Sequence, residues 1–366
     1  MQKADGMMYA PKGKSEAVCQ KGEFRFAAVG LDHGHIYGMT NGLIEAGGEL
    51  VWAYDPDPAK VEAFCKTYPE AKAASSEEQA LGDESLHMIA SAKITSERGP
   101  FGLKVMDHGK HYFCDKAPFT TFEQLDRARA KTAETGLIWA VYYSERLHVE
   151  GAVYAGQLIQ DGAIGRVLQV INIAPHRLNA PSRPEWFFIK EQYGGILCDL
   201  GSHQIEQFLY YADVKDARIV HSQVANYNNP QYPELEDFGD CIVAASNGAT
   251  MYFRVDWFTP GGMGAWGDGR TFIMGTKGSI EIRKYLDVAR DRQGDHVILV
   301  DGEKEHHFSV NGKVGFPYFG QLILDCLNGT HNAMPQEHTF LAAQLCLEAE
   351  SQAVLIQNIV SDSYEA

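Results

Sequence analysis

Apolar positions in the first third of the chain fall in short runs separated by stretches with helical spacing. Residues 24–29 form a run of strand type that leads straight into Gly30. Residues 35–46 place Ile36, Met39, Leu43 and Ile44 on one side of a helix that Gly47 and Gly48 stop. A second apolar strand spans residues 50–54 and ends at Asp55. Asp57 followed by Pro58 is an N-cap with proline in the first turn, which predicts a helix to about residue 68. The alternation continues with a strand at 86–90, a helix at 101–108 and a strand at 111–114. Thr121 and Gln124 then form a capping box that opens a helix to Gly136, and residues 137–143 give another strand. Short apolar strands alternating with helices predict a parallel, doubly wound α/β sheet over residues 24–146, with both faces covered.

The rhythm changes after residue 147. A helix at 149–160, a strand at 167–174 and a helix at 196–211 are followed by strands at 218–226, 241–246, 250–258, 271–274, 279–283 and 296–300. Asn247-Gly248 between two of them is a hairpin signal. Helices at 318–327 and 338–359 close the chain. This pattern predicts a second domain, 147–366, of α+β type on a mostly antiparallel sheet. Residues 1–23, with Pro11, Gly13 and four lysines, read as an arm laid over the body.

Length and charge narrow the possibilities. A chain of 366 residues exceeds the usual size of a single core. A net charge of −16 speaks against a nucleic-acid partner, which calls for a basic face. No apolar run is long enough for a membrane span, and the first 23 residues lack a secretion-signal pattern. Seven cysteines without CxxC spacing fit a reducing compartment, so a cytoplasmic protein is expected.

Candidate chemistry gathers in two stretches. Between Gly194 and Glu206, helical spacing puts Asp199, His203 and Glu206 on one stripe of an otherwise apolar helix. Polar groups so placed must pair or face a cavity, and Gly194 and Gly195 would let the backbone approach a ligand. A buried Asp–His pair that only satisfies itself is the blander alternative. Cys198 reads as packing. The second stretch, Gly30-Leu31-Asp32-His33-Gly34-His35, stands where a doubly wound sheet binds a dinucleotide pyrophosphate. It keeps only the first glycine of GxGxxG. Asp32 must point away from a phosphate or pair with His33 or His35. Asp55, 25 residues past Gly30, suits the ribose hydroxyls of NAD and would repel the 2′-phosphate of NADP. A strand–turn–helix with Asp55 as a plain turn residue is the alternative. His33 and His35 could also bind a divalent ion with Asp199, His203 or His176.

Cys114-Asp115-Lys116-Ala117-Pro118-Phe119, taken with Gly194-Gly195-x3-Asp199-x-Gly201-x-His203, resembles the Gfo/Idh/MocA family of NAD(P)-dependent oxidoreductases over residues 24–360. The family's Glu-Lys-Pro appears as Asp115-Lys116-Ala117-Pro118. The resemblance implies an N-terminal Rossmann domain, a C-terminal domain whose open sheet joins subunits into a homodimer or homotetramer, and NAD(P) as cofactor, with Asp55 favouring NAD over NADP. It implies catalysis by Lys116, His203 and Asp199 on a hydroxyl of a sugar, sugar derivative or cyclitol. Cofactor contacts are then expected from Gly30, Asp32, His33, Gly34, His35, Asp55, Asp115 and Lys116. His176, Arg177, Tyr143 and Trp186 are candidates for the substrate wall, with Tyr142, Glu145, Arg146 and Asn179 nearby; no metal is assigned. A histidine suits removal of the hydroxyl proton, and a lysine suits the developing alkoxide. Two other readings stay open: transient oxidation by bound NAD that drives elimination or hydrolysis of a glycoside, and a non-catalytic nucleotide-binding protein. The glycine-rich stretch 260–270 lies near substrate or at a subunit contact on this reading.

Overall fold

The computed structural model describes residues 6–13 and 16–356. Its first sheet is built from β1 (Arg25–Val29), β2 (Glu49–Tyr54), β3 (Lys72–Ala73), β4 (Met88–Ser91), β5 (His111–Asp115) and β6 (Trp139–Tyr142). The strands are all parallel, in the order β3-β2-β1-β4-β5-β6. Helices α1 (His35–Glu45), α2 (Pro58–Thr67), α3 (Glu77–Leu81), α4 (Thr95–Asp107) and α5 (Phe122–Thr135) link them. Strand order reverses between β1 and β4, and ligands bind such sheets in the crevice at the carboxyl ends of those strands.

Sequence pattern misses two short elements here, β3 and α3, and starts α4 six residues late. Pro100 lies inside α4 and cannot donate to the carbonyl of Ser96. The Gln124 side chain donates to that carbonyl instead, at 2.9 Å, so the helix continues through the proline.

Downstream, α6 (Ser144–Leu147) and α7 (Glu150–Gln160) lead into β7 (Val167–Pro175), and α8 (Lys190–Tyr193), α9 (Ile196–Asp199) and α10 (Gly201–Tyr211) follow. Then come β8 (Ala217–Ala225), β9 (Phe238–Ala245), β10 (Thr250–Asp256), β11 (Arg270–Gly275), β12 (Ser279–Arg283), β13 (His296–Val300) and β14 (Glu305–Ser309). Helices α11 (Pro317–Asn328) and α12 (Gln336–Ser351) precede a short β15 (Val354–Leu355). The second sheet has the order β14-β13-β12-β11-β7-β10-β9-β8-β15. Only β7–β10 and β8–β15 pair in parallel. The Asn247-Gly248 turn joins antiparallel β9 and β10. The helix expected over 338–359 stops at Ser351, where the backbone turns to pair with the edge of β8, and Ile356 donates to the Val224 carbonyl at 2.9 Å. Residue 359 lies outside the described residues.

One face of this sheet is covered by α10 against β7 and β10 and by α12 against β8. The other face leaves Val220, Ile242, Phe272, Met274 and Val300 between 36% and 49% exposed. Among the described residues, no helix is long and apolar enough to cross a membrane.

Candidate active site

Lys116 leaves the end of β5 and crosses toward α9, where its ammonium meets Asp199. Nζ donates to Asp199 Oδ1 at 2.5 Å and to the Asp199 carbonyl at 3.0 Å. The turn after β5 is set by Arg98 of α4, which is 1% exposed. Its Nε donates to the Lys93 carbonyl at 2.8 Å, Nη1 to the carbonyls of Lys116 and Ala117, and Nη2 to Asp115 Oδ2 at 3.1 Å. A planar guanidinium suits such a convergent set of acceptors. Nothing in the sequence pattern singles out Arg98.

Asp115 lies beneath this turn. Oδ1 meets His35 Nδ1 at 2.8 Å and the Lys116 amide at 2.8 Å, while Oδ2 meets His33 Nδ1 at 3.2 Å and Arg98. Burial opposes its charge, but His35, Arg98 and His33 outweigh that and hold the carboxyl well below its ordinary range. Expected as a cofactor contact, Asp115 is wholly buried and ties the glycine loop to the lysine turn. His33, His35 and Asp115 bring ligand atoms within 4.8 Å of one another, the spacing of a metal cluster. The Arg98 guanidinium already occupies the carboxylate, and a divalent ion beside it would meet like charge.

Gly195 serves a different purpose from close approach to a ligand. Gly195 has φ +87° and ψ 158°, and a Cβ there would fall 2.1 Å from the Glu350 carboxyl carbon. Glu350 Oε2 accepts from the Leu197 amide at 3.1 Å, and Glu236 Oε2 accepts from the Ile196 amide at 2.8 Å. Two glutamate carboxyl groups thus satisfy the opening N–H groups of α9, the short helix that carries Asp199. Lys190 bridges both. The missing Cβ makes room for the cap.

The helix is interrupted at Leu200, so the expected single stripe is broken. His203 opens α10 toward the site, whereas Glu206 turns away to the Arg146 guanidinium, with Arg146 Nε 2.8 Å from its Oε1, and to His338. His203 is buried, and its Nδ1 meets no hydrogen-bond partner among the described residues. Burial first, then the Lys116 and histidine charges, keep His203 well below the usual imidazole value, against the pull of Glu145. It is therefore a neutral imidazole near pH 7, able to accept a proton.

Lys116, Asp199 and His203 line one narrow cavity between the two sheets, with His33, His35, Glu145 and His176. His176 is held down to about 4, by burial above all. Arg177, Tyr143 and Trp186 do not line it. Arg177 instead donates to the carbonyls of Pro260 (3.2 Å), Met263 (3.1 Å) and Ala265 (2.9 Å), folding the glycine-rich loop back onto the end of β7. That loop delivers Trp266 to the cavity wall. Trp186 lies in a 3-10 turn whose neighbour Phe187 takes the wall position, and Tyr143 is buried behind His203. The N-terminal segment also reaches the site. Asn41 donates to the Ala10 and Pro11 carbonyls, the Gly13 amide donates to Glu45, and Gly6, Met7 and Tyr9 complete the wall.

The nucleotide side fits a dinucleotide. Gly30 has φ +79°, and Lys93 Cγ fills the place of a Cβ at 2.2 Å. α1 starts with no side-chain cap and no acid in its first turn, the arrangement an anion at a helix N-terminus requires. Asp32 pairs with neither histidine; Lys60 takes it at 2.5 Å. Asp55 accepts from the amides of Leu31 (2.7 Å) and Asp57 (2.9 Å), with Lys60 at 3.5 Å.

Family comparison agrees with this geometry. Residues 24–143 match the model described as "Oxidoreductase family, NAD-binding Rossmann fold", and residues 153–281 match "GFO/IDH/MocA C-terminal domain". The chain belongs to the Gfo/Idh/MocA oxidoreductase family. A crystal structure from Erwinia carotovora atroseptica, described no further than as an oxidoreductase, is 47% identical, with a TM-score of 0.89 over 92% of this chain and all of that one. The scyllo-inositol 2-dehydrogenase (NAD(+)) of Bacillus subtilis is 26% identical over 71% of this chain and 74% of its own length. D-xylose dehydrogenase of Paenarthrobacter nicotinovorans is 25% identical over 40% of this chain, which spans only 38% of that enzyme. Both of these relatives are named as dehydrogenases, and the inositol enzyme's name carries NAD(+).

Proposed function

We propose that this family member is an NAD-dependent dehydrogenase of a sugar, sugar derivative or cyclitol hydroxyl. The observation that carries the proposal is that Lys116, from the nucleotide-binding half, and His203, from the other half, line the same cavity. When bound, the dinucleotide supplies the hydride acceptor. The Gly30 turn, the α1 N-terminus and Asp55 would hold it. NAD is favoured over NADP because Asp32 and Asp55 place two carboxylates against the single ammonium of Lys60 where a 2′-phosphate would sit.

His203 removes the proton of the reacting hydroxyl. Two of the three donors of the Lys116 ammonium are held by Asp199, and the third stabilises the alkoxide oxygen as it forms. Asp199 fixes where that donor points. The wall of Tyr9, Trp257 and Trp266 offers flat apolar faces of the kind that pack on a sugar ring. The apolar open face of the second sheet is the surface a homodimer or homotetramer would bury.

The test is to mix purified protein with NAD and a panel holding D-xylose, scyllo-inositol and D-glucose, and to follow NADH absorbance. Growth of the signal that disappears in His203→Ala supports the reading. Product without net NADH points to transient oxidation. NAD binding with no chemistry on any substrate points to a non-catalytic protein.

A further inference from the structure

We infer that Glu145 selects the substrate, its Oε1 accepting a hydrogen bond from a hydroxyl of a neutral polyol next to the reacting carbinol. The inference rests on the dehydrogenase reading and names the substrate class for that site. Glu145 follows β6 on α6 and lines the cavity with His176 and His203. Its carboxylate is buried, and its two oxygens are treated differently. Oε2 accepts from Lys284 Nζ at 2.8 Å and from Gln204 Nε2 at 3.1 Å. Oε1 accepts no hydrogen bond among the described residues; His176 Nε2 stands 3.4 Å away without donating to it. A buried carboxylate oxygen without a donor is costly and rare unless a visiting donor completes it.

Lys284 explains how that oxygen can be kept. Lysine and glutamate side chains are each 1% exposed, so the pair neutralises itself in the interior. Burial opposes the Glu145 charge, yet the Lys284 ammonium, by its charge and its hydrogen bond, leads the interactions that outweigh it and hold the carboxyl well below its ordinary value. An ionised carboxylate accepts hydrogen bonds and cannot donate them. The group it meets must therefore donate a hydrogen bond, as a neutral hydroxyl does; a carboxylate, a phosphate or a bare methylene would leave the charge unanswered or repelled. A hydroxyl beside the carbon that reacts meets this demand.

The experiment uses the full chain with NAD and the three sugars above, comparing wild type, Glu145→Gln and the double variant Glu145→Gln/Lys284→Met. The double variant removes both charges, so the interior stays neutral even where the single variant fails to fold. For the sugar turned over fastest, kcat/KM should fall about 10- to 100-fold in the variants. Monodeoxy analogues of that sugar supply the decisive readout. One analogue should lose a similar factor with wild type and nothing further with the variants, a pattern that mere structural damage does not produce. Unchanged kcat/KM in the folded variants, or a deoxy penalty equal in wild type and variant at every position, overturns the inference. If wild type turns over none of the sugars, the dehydrogenase reading has failed and calorimetric titration of the same sugars onto NADH-loaded protein judges Glu145 alone. Binding weakened about 10-fold or more by Glu145→Gln/Lys284→Met then supports it, and equal binding, or none to wild type, overturns it.

Discussion

Alanine at Gly195 should unseat the helix that carries Asp199, whereas alanine at Gly194 should cost far less. At φ +87° and ψ 158°, Gly195 occupies a region that residues with a Cβ adopt only at a cost of about 1–3 kcal/mol. The new methyl would also meet the Glu350 carboxyl atoms at 2.1, 2.3 and 2.4 Å. Glu350 cannot remain there, so the Leu197 amide loses its acceptor, worth about 1–3 kcal/mol for a buried donor. Together these predict about 2–6 kcal/mol of lost stability. Gly194, at φ +89° and ψ 7°, is left-handed, and its Cβ would crowd a Thr120 methyl at 3.0 Å and otherwise meet ordinary contacts, so about 1–2 kcal/mol is expected. Chemical denaturation of both variants measures the difference. Adding Glu350→Ala to Gly195→Ala should recover about 1 kcal/mol or more relative to additivity, since the clash is gone. Equal losses at the two glycines, or strict additivity in the double variant, would refute the claim that Gly195 exists to admit the Glu350 cap.

Lys116→Met should lower kcat by about 10²–10³ while the protein still binds NADH, because it removes the donor to the forming alkoxide; steady-state kinetics with NADH fluorescence titration checks both halves. The acid limb of kcat/KM should lie below pH 6.5, because His203 is depressed and its basic form persists until the pH falls through its folded value; a limb at or above that value would contradict it. Native His176 binds no proton above about 4 while the unfolded chain takes one up below about 6.5. Stability should therefore be flat above that range and fall as pH drops through it, by up to about 1.4 kcal/mol per pH unit from this group, a slope that His176→Asn loses. Arg98→Ala should cost about 3–5 kcal/mol by leaving Asp115 without its buried partner, and Arg98→Lys should recover only part of it. Metal analysis of purified protein should find less than one ion per chain at His33 and His35.

The sequence made the fold legible because both periodicities were clean: buried runs between helices in one half, then paired strands around Asn247-Gly248. Lys116 is singled out by the family resemblance, and Asp199 and His203 by that resemblance and by helical spacing; the three line one cavity. What lay beyond reach depended on contacts distant along the chain. The need for glycine at 195 was visible, but its cause, Glu350, sits 155 residues away. Arg177 looked like a substrate contact because nothing local says that the loop after β10 returns to it. Lys284 was within reach, since Ile280, Ile282 and Lys284 alternate onto one face of β12 and its extension, a pattern that buries the lysine. Arg98 had no such signal. The Glu206 stripe failed because helical spacing assumes a helix unbroken at Leu200.

The most direct test of the central claim is a crystal structure of the protein with NADH and the sugar it turns over. One carbinol oxygen should lie within about 2.6–3.2 Å of both Lys116 Nζ and a His203 ring nitrogen. A substrate whose oxidisable hydroxyl reaches only one of them, or neither, would contradict it.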